Sequence, residues 1–314
     1  MKKKIRLNNP ELEKDIPTKI QNEPNKVPFE SLTPIELIKK SQKYQFGNRP
    51  DYFHRRGTDL EGVDSRLLNL DRNYLEGKSV LDIGCHTGIV SLQIAKHFNA
   101  RCVKGIDIDY TLINEAVTNW SREEKLALIA KQKSSNNPEV IEKLDTINSM
   151  PRNIKELDSG LSKLLGKREA EPGSKMDIEK GYPHNVSFEI SNIIDLEESR
   201  ERHKYEAIVC FSLTKWVHLN YGDEGIKKMF KKIKMALSKG GILILEIQKF
   251  KSYNKKIKEF SRFKEIYPTI SFRPEEFESY LLNELGFKKL ANLGTLQQDD
   301  FKRDIEVYEL MRIN

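Results

Sequence analysis

The sequence predicts an open α/β sheet of seven strands, mostly parallel and doubly wound, with an antiparallel edge. Short apolar runs alternate with helical patterns over 79–120 and again over 184–247. A glycine-containing turn joins the first predicted strand to its helix, and two strand patterns close the chain as an antiparallel edge would. Parallel strands that alternate with helices bind ligands at the carboxyl ends of the strands, so we expect a site there.

The element boundaries follow from periodicity and from capping residues. We predict strands at 79–83, 102–108, 186–190, 206–211, 242–247, 288–293 and 305–311, and helices at 88–98, 110–120, 223–237 and from 275 to about 285. Asp223 is expected to cap the third of these helices, Gly240-Gly241 to end it, and Gly286 to stop the fourth. A further short helix is expected from Thr33 to about 43.

Two stretches do not fit a packed domain. Residues 1–30 carry four prolines and mixed charge without periodicity, so a disordered tail is expected. Residues 121–184 are rich in Lys, Glu, Asn and Ser and hold four more prolines, which predicts a disordered or weakly helical insertion. The remainder of 31–314 is predicted to be a single domain.

The positive charge of the chain is concentrated in one segment. The net charge is +7, yet residues 227–264 hold thirteen Lys or Arg against two Glu, a local charge of +11. Such a concentration is typical of a surface that binds a polyanion. The lysines of the helix over 223–237 also fit a solvated helix face, so 249–258, which follow a predicted strand end, are the better candidate for binding a polyanion.

Other features exclude several classes of protein. The three cysteines have no paired spacing and fall on or beside predicted strands, which indicates core thiols in a reducing compartment. No run approaches 18 apolar residues and no apolar segment follows the basic start, so neither membrane insertion nor secretion is expected. The histidines and cysteines show no ligand spacing, so no metal is expected.

The turn after the first predicted strand carries the first functional signal. Asp82-x-Gly84-x-x-x-Gly88 lacks the third glycine of a dinucleotide fingerprint, and no Gly-Lys-Ser/Thr follows as in a phosphate loop. With both phosphate-binding turns disfavoured, the turn is interpreted as the S-adenosylmethionine loop of Rossmann-like class I methyltransferases. Their second mark is an acid at the end of the next strand, which accepts hydrogen bonds from both ribose hydroxyls, and Asp107 occupies that position.

Three further motifs lead to a family resemblance. Tyr-Gln-Phe-Gly-Asn at 44–48, Leu-Asp-Ile-Gly-Cys at 81–85 and Leu-Thr-Lys-Trp-Val-His-Leu-Asn at 213–220 together resemble the Bicoid-interacting methyltransferases, the methylphosphate capping enzymes of small RNAs. The resemblance covers about 41–120 and 184–311. It implies transfer of a methyl group from S-adenosylmethionine to the 5′-terminal (gamma) phosphate of a small non-coding RNA.

The resemblance also implies a set of site residues. Those that would hold the cofactor are Tyr52, Arg66, Gly84, Cys85, His86, Asp107, Ile108, Asn192 and Leu213. Those that would face the RNA phosphates or take part in transfer are Arg55, Arg56, Lys215, Trp216, His218, Tyr253, Lys255 and Lys256. On the residue pattern alone, His218 could equally be a buried, hydrogen-bonded histidine, and Trp216 could be simple packing.

The expected chemistry needs little acid or base catalysis. A terminal phosphate is largely ionised near pH 7, since its second pKa is about 6, so the enzyme must mainly align it with the methyl group. A second hypothesis is an RNA-binding ribonucleoprotein component with little catalysis, because the Tyr52–Arg56 segment departs from the family pattern. A small-molecule or protein methyltransferase is a third, disfavoured by the basic tract.

The start of the chain bears on location. Lys2, Lys3, Lys4 and Arg6 fit a nuclear address, an RNA-contacting arm or a solvated terminus. We expect a protein of the nucleus or the cytoplasm that meets small RNAs and other ribonucleoprotein components.

Overall fold

The computed structural model describes residues 43–47, 52, 62–133, 176–295 and 303–312. The predicted tail over 1–30, the helix from Thr33 and most of the predicted insertion lie outside these ranges. All structural statements below concern the described residues.

A seven-stranded sheet forms the centre of the molecule. Its strands are β1 Ser79–Ile83, β2 Cys102–Asp107, β3 Val186–Ile190, β4 Tyr205–Phe211, β5 Leu237–Glu246, β6 Phe287–Thr295 and β7 Asp304–Leu310. Their spatial order is β3-β2-β1-β4-β5-β7-β6. The first five are parallel, and β7 runs antiparallel to both β5 and β6. The predicted doubly wound sheet with an antiparallel edge is therefore confirmed.

Helices cover both faces of the sheet. They are α1 Ser65–Leu68, α2 Ile89–His97, α3 Tyr110–Lys133, α4 Glu198–Glu201, α5 Thr214–Ala236, α6 Ser261–Ile266 and α7 Phe277–Asn283, with short 3-10 turns between several of them. Alternate residues of a strand face opposite sides, so the sheet separates two apolar clusters. One contains Leu81 and Phe230 of α5, and the other contains Val80 and Ile94 of α2. No helix in the described ranges has the length and apolarity that a membrane span requires.

The helix after β2 is longer than the sequence predicts. We expected it to end at 120, but α3 continues to Lys133, with Trp120 and Ile129 buried. At the far end of the predicted insertion, Tyr182 donates to Glu123 Oε2 of α3 at 2.7 Å. Both described ends of the segment predicted as a disordered or weakly helical insertion are therefore structured: 121–133 continue α3, and Tyr182 is hydrogen-bonded to that helix. The central part of the segment, 134–175, lies outside the described residues.

The helix after β4 also differs from its prediction. The helix predicted from Asp223 is present as the second half of α5. An additional first half begins at Thr214, and the two halves meet at Gly222, whose φ of 66° and ψ of −163° are not helical. Asp223 is not seen as a cap, because its carboxylate is hydrogen-bonded to His218, Ser271 and Phe272. At the other end α5 stops at Ala236, and Gly240-Gly241 lie within β5. Gly286, with a φ of 74°, follows α7 as predicted.

The cysteines only partly match their prediction. Cys85 and Cys210 are buried free thiols, whereas Cys102 at the start of β2 is partly exposed. Burial raises the pKa of both Cys85 and Cys210. These two thiols are therefore protonated at neutral pH, as core cysteines are.

Candidate active site

A cavity lies at the carboxyl ends of β1, β2 and β4. It encloses about 910 Å³ of space, part of which is open solvent. All nine residues that the resemblance assigns to the cofactor line it: Tyr52, Arg66, Gly84, Cys85, His86, Asp107, Ile108, Asn192 and Leu213. The structure therefore brings together residues that are far apart in the chain, at the edge where the topology predicts a ligand.

The turn after β1 forms one wall of the cavity. The amide groups of Gly84 and Cys85 donate to Ile106 O of the neighbouring strand at 2.8 and 3.0 Å, which fixes the turn against β2. A Cβ on Gly84 would lie 3.3 Å from the Leu213 side chain and would narrow the cavity. Gly88 is needed for another reason, because a Cβ there would lie 2.5 Å from the ring of Phe188. Gly84 thus borders the ligand space, whereas Gly88 serves packing.

Asp107 presents a carboxylate to the cavity from the end of β2. Its Oδ2 accepts from His86 N at 3.0 Å, and its Oδ1 accepts from Asp109 N at 2.9 Å. Burial raises the pKa of Asp107 to about 6, although these backbone donors oppose the shift. The group is therefore ionised at neutral pH, and each of its oxygens keeps acceptor capacity for a ribose hydroxyl.

Asp82 is a second buried carboxyl at this wall. It lines the cavity from β1 and accepts from Ser91 Oγ at 2.6 Å. Burial is the main cause that raises its pKa to about 6. The sequence motif contained Asp82, but the prediction gave it no role of its own.

Arg66 is fully buried beneath the cavity and is fixed by two neighbours. Asp64 accepts from its Nε at 2.8 Å and from its Nη2 at 2.7 Å, and Nη1 donates to Tyr52 Oη at 3.2 Å. The guanidinium also lies 4.7 Å from the centre of the Phe211 ring. Burial would lower the pKa of Arg66, but Tyr52 and Asp64 together raise it well above its ordinary value. The cation is permanent and its position is set before any ligand binds.

A second arginine reaches the same region from the antiparallel edge. Arg303 Nη1 donates to Ser212 Oγ at 2.6 Å and lies 3.8 Å from Glu246 Oε2. Glu246 is fully buried, accepts from the Ser212 hydroxyl, and lies 3.9 Å from Arg66 Nη1. Ser212 itself has a φ of 58° and lines the cavity. Arg303 thus links β7 to the turn after β4, and sequence reasoning missed it.

Gln248 holds the turn between β4 and α5. Its Oε1 accepts from Thr214 Oγ1 at 2.6 Å and from Lys215 N at 2.9 Å, and its Nε2 donates to Ser212 O. The first amide groups of a helix have no partners within the helix, so Gln248 acts as the cap of α5 from another element. Sequence reasoning missed Gln248 as well. The feature that could have identified Gln248 is its position two residues after the end of β5, because β5 pairs with β4 and the two strands end near the same turn.

Trp216 and Lys215 open α5 at the rim of the cavity. Trp216 lines the cavity, and the Lys215 ammonium lies 4.9 Å from the centre of the Trp216 ring. The turn at 43–47 packs on this ring, since a Cβ on Gly47 would lie 2.3 Å from it. Gln45 Nε2 also donates to Asn220 Oδ1 of α5 at 2.8 Å. Lys215 is buried and is not itself a lining residue.

His218 and Tyr253 lie outside the cavity. Both are fully buried, with His218 Nδ1 3.3 Å from the Tyr253 hydroxyl and His218 Nε2 2.9 Å from Asp223 Oδ1. Burial lowers the pKa of His218, although Asp223 opposes the shift, so the ring is neutral at pH 7. Of the two readings that the sequence allowed for His218, the structure matches the buried, hydrogen-bonded one. Tyr253 does not line the cavity, so the role in transfer that the resemblance implies for it would not be by direct contact there.

Lys255 and Lys256, two further predicted phosphate contacts, do not line the cavity. Lys255 is exposed, and Lys256 pairs with Glu259 at 2.6 Å. Arg55 and Arg56 lie outside the described residues. Among the residues that are described, no group of three or more His, Cys, Asp or Glu side chains could hold a metal ion.

Comparisons with known proteins agree with this geometry. The model of the family Bicoid-interacting protein 3 matches residues 205–310, and that of ribosomal protein L11 methyltransferase matches 64–165. A probable RNA methyltransferase of Arabidopsis thaliana is 34% identical over 81% of this chain and 76% of its own. The chain belongs to the Bicoid-interacting methyltransferase family.

Two other members of the family carry more specific names. The U6 snRNA methylphosphate capping enzyme Amus of Drosophila melanogaster is 31% identical over 86% of this chain and 76% of its own. The 7SK snRNA methylphosphate capping enzyme of Mus musculus is 34% identical over 89% of this chain but only 43% of its own length. This chain therefore spans less than half of the mouse protein.

The cavity fits S-adenosylmethionine. Asp107 offers two acceptors at the wall, Gly84 leaves room for a ligand beside Leu213, and Arg66 supplies a fixed cation below. Asn192 lies at the end of β3, where it also lines the cavity. These residues would hold the ribose, the methionine part and the base, and the bound cofactor supplies a methyl group made electrophilic by its sulfonium.

Proposed function

We propose that this protein methylates the 5′-terminal phosphate of a small non-coding RNA. The observation that carries the proposal is that Trp216 lines the cofactor cavity and that the ammonium of Lys215 lies 4.9 Å from the centre of its ring. An aromatic face beside an ammonium group suits a nucleotide base next to a phosphate better than it suits a neutral small molecule. The names of the family members from fly and mouse support the same substrate class.

The residues of the chain would act by placement. A terminal phosphate oxygen is largely ionised at neutral pH and carries its own electron pair, so its attack on a methyl carbon releases no proton and needs no general base. Lys215 would bind the phosphates through oxygens other than the attacking one, because a cation on the attacking oxygen would lower its reactivity. Trp216 would hold the first base and thereby fix the distance between phosphate and methyl group.

A nuclear location is part of the proposal. The cluster Lys2, Lys3, Lys4 and Arg6 is of the kind that nuclear import recognises. Membership of a ribonucleoprotein would follow from an RNA substrate that stays bound after the reaction.

A transfer assay tests the proposed activity. The protein is incubated with total small RNA and S-adenosylmethionine labelled in its methyl group, and the product RNA is treated with phosphatase. We expect label on RNA, carried on a terminal phosphate. Label that resists every phosphatase and pyrophosphatase treatment and is recovered on bases or riboses would contradict the proposal. RNA binding without any label would favour the role of an RNA-holding ribonucleoprotein component.

A further inference from the structure

The second half of α5 exposes a line of lysines. Lys227, Lys231 and Lys234 follow the i, i+4, i+7 spacing that places side chains on one face of a helix, over about 10 Å. The opposite face carries Met229, Ile233 and Ala236, which are fully buried. The lysine line therefore points away from the core.

The lysine line leads into a groove at the other end of the molecule. This distal groove is lined by Glu198, Arg202, His203, Lys231, Lys234, Met235, Lys239, Leu310 and Met311. It encloses about 720 Å³, part of which is open solvent. Lys239 lies near the start of β5, and Leu310 ends β7, which runs antiparallel to β5. The groove therefore lies at the amino ends of the parallel strands, whereas the cofactor cavity lies at their carboxyl ends.

The surface formed by the lysine line and the distal groove is strongly positive. Arg202 pairs with Glu198, and Lys227 pairs with Glu224 at 3.2 Å. Arg312 adds another positive charge beside the groove, because its Nε would lie 3.1 Å from a Cβ on Gly240. Counting the groove, the line and Arg312, six Lys or Arg side chains face two Glu. Such an imbalance on a continuous surface raises the local concentration of anions.

The distance from the cavity sets what part of a ligand could reach this surface. Trp216 at the cavity rim and Lys234 at the groove are separated by 18 residues of α5, which is at most about 27 Å at 1.5 Å per residue. A stacked strand advances about 3.4 Å per nucleotide, so this distance corresponds to roughly eight nucleotides. The first three nucleotides of a chain whose 5′ end lies in the cavity are too short to reach it.

We propose that the lysine line and the distal groove bind the phosphate backbone of the RNA substrate, about eight nucleotides from its 5′ end. The inference rests on the proposed function, since it takes the 5′ end to lie in the cofactor cavity. The lining of the groove holds no Phe, Tyr or Trp, and its one imidazole, that of His203, is hydrogen-bonded to Leu237 O at 2.8 Å. Binding is therefore to backbone charge, and it selects RNA by length and shape rather than by sequence.

The test compares two RNAs of different length. One is a 5′-triphosphorylated stem-loop of 20 nucleotides, and the other is its first trinucleotide with the same 5′ end. The variant is Lys231→Gln/Lys234→Gln/Lys239→Gln. The matched control, Arg72→Gln/Lys96→Gln/Lys125→Gln, removes the same charge from residues away from α5. Equilibrium binding is measured for the stem-loop at several salt concentrations, methyl transfer is measured for both RNAs, and thermal melting checks that each protein is folded.

We expect the groove variant to bind the stem-loop at least about tenfold more weakly than the control does. The slope of log affinity against log salt should fall by about 0.7 to 0.9 for each phosphate that the variant no longer neutralises. The rate at which the groove variant methylates the trinucleotide should stay within about twofold of the rate of the parent protein. Equal binding of the stem-loop by parent, control and groove variant would overturn the inference. So would an equal loss of activity on both RNAs, since that would indicate damage to the cavity.

Crosslinking provides a second measurement that needs no variant. A 4-thiouridine at position 2 or at position 10 of the stem-loop is irradiated in complex with the full chain, and the crosslinked peptides are identified. We expect peptides within 227–240 from position 10 and none of these from position 2. Position-10 crosslinks confined to other surfaces would contradict the inference. A parent that binds the stem-loop but methylates neither RNA would refute the proposed function, while the binding and crosslinking results would still decide the role of this surface.

Discussion

Replacing Gln248 with methionine would remove three hydrogen bonds from the turn between β4 and α5 while nearly keeping the side-chain volume. The turn carries Ser212 and Leu213, which line the cofactor cavity, and it leads directly into Lys215. Gln248 is almost fully buried, and its partners are Thr214 Oγ1, Lys215 N and Ser212 O. Methionine can neither accept nor donate in their place.

The size of the effect follows from the burial of these partners. A hydrogen bond contributes about 1 kcal/mol net, and a buried group left without its partner costs about 1 to 3 kcal/mol. The Thr214 hydroxyl can rotate towards another acceptor, whereas Lys215 N and Ser212 O cannot move without moving the turn. We therefore expect the free energy of unfolding to fall by about 2 to 4 kcal/mol. Because Leu213 lies 3.3 Å from the Cβ position of Gly84, a displaced turn should also weaken cofactor binding.

The assay measures both quantities on two variants. Asn185→Leu is the matched control, since Asn185 is also a buried amide and donates to Ala100 O at 2.9 Å at the opposite edge of the sheet. Urea unfolding gives the stability, and calorimetry gives the dissociation constant for S-adenosylmethionine. Both variants should lose stability, but only Gln248→Met should lose cofactor affinity, by about tenfold or more for a displacement that costs about 1.4 kcal/mol.

Two results would refute this reasoning. Unchanged stability in Gln248→Met would mean that its three partners find other hydrogen bonds at no cost. An equal loss of cofactor affinity in both variants would mean that the cavity responds to general destabilisation rather than to the position of the turn.

Three other predictions concern the carboxylates, and a fourth concerns the rim lysine. Asp107→Asn should weaken S-adenosylmethionine binding at least about tenfold, since one or two charge-assisted hydrogen bonds of about 1.5 to 3 kcal/mol each are lost. Calorimetry showing an unchanged dissociation constant would exclude Asp107 as the ribose ligand. In the parent, cofactor affinity should rise between pH 5 and 7, because Asp107 ionises with a pKa of about 6 and only its ionised form accepts from both hydroxyls; this rise should be smaller in Asp107→Asn, and equal profiles would contradict it. Partial burial would raise the pKa of Asp223, but the His218 ring and the Ser271 and Phe272 donors together hold it at about 2. The stabilising effect of the Asp223 carboxylate is therefore present above about pH 4 and is lost as the pH falls towards 2. The difference in unfolding free energy between parent and Asp223→Asn, measured by denaturant unfolding, should shrink over that range, and a constant difference would refute the prediction. Lys215→Gln should lower RNA methylation with no change in the calorimetric cofactor constant; a change in that constant would place Lys215 at the cofactor instead.

The part of the site that could be predicted from sequence is the part formed by local pattern. An apolar strand, a glycine turn and an acid at the end of the next strand are fixed by their own spacing, so Gly84 and Asp107 can be placed correctly before any tertiary contact is known. The resemblance added residues such as Tyr52 and Leu213, which share no local pattern with the turn.

The residues that were missed depend on which strands are neighbours. Gln248 and Arg303 reach the turn after β4 because β5 pairs with β4 and β7 pairs with β5. The sequence predicts that the last two strands form an antiparallel edge, but nothing in it shows that β7 rather than β6 lies beside β5. Once that order is known, the residues just past the end of β5 and just before β7 are expected at the cavity edge.

Helix boundaries were missed for a different reason. The helix start predicted at Asp223 matches the second half of α5, but the first half from Thr214 was missed; Asp223 and His218 are hydrogen-bonded across the interruption at Gly222 that joins the two. In α3 the polar composition hid a continuing helix, because Ile129 is buried among more exposed neighbours. Tertiary contacts of one or two side chains decided both cases, and periodicity does not report them.

The chemical form of the product tests the central claim most directly. A 5′-triphosphorylated stem-loop RNA is incubated with S-adenosylmethionine and the parent protein or Asp107→Asn, and the 5′ nucleotide is isolated and its mass determined. The account predicts one added methyl group on the terminal phosphate with the parent protein and none with Asp107→Asn. A methyl group on a base or ribose, or an unmodified 5′ end at full cofactor occupancy, would contradict it.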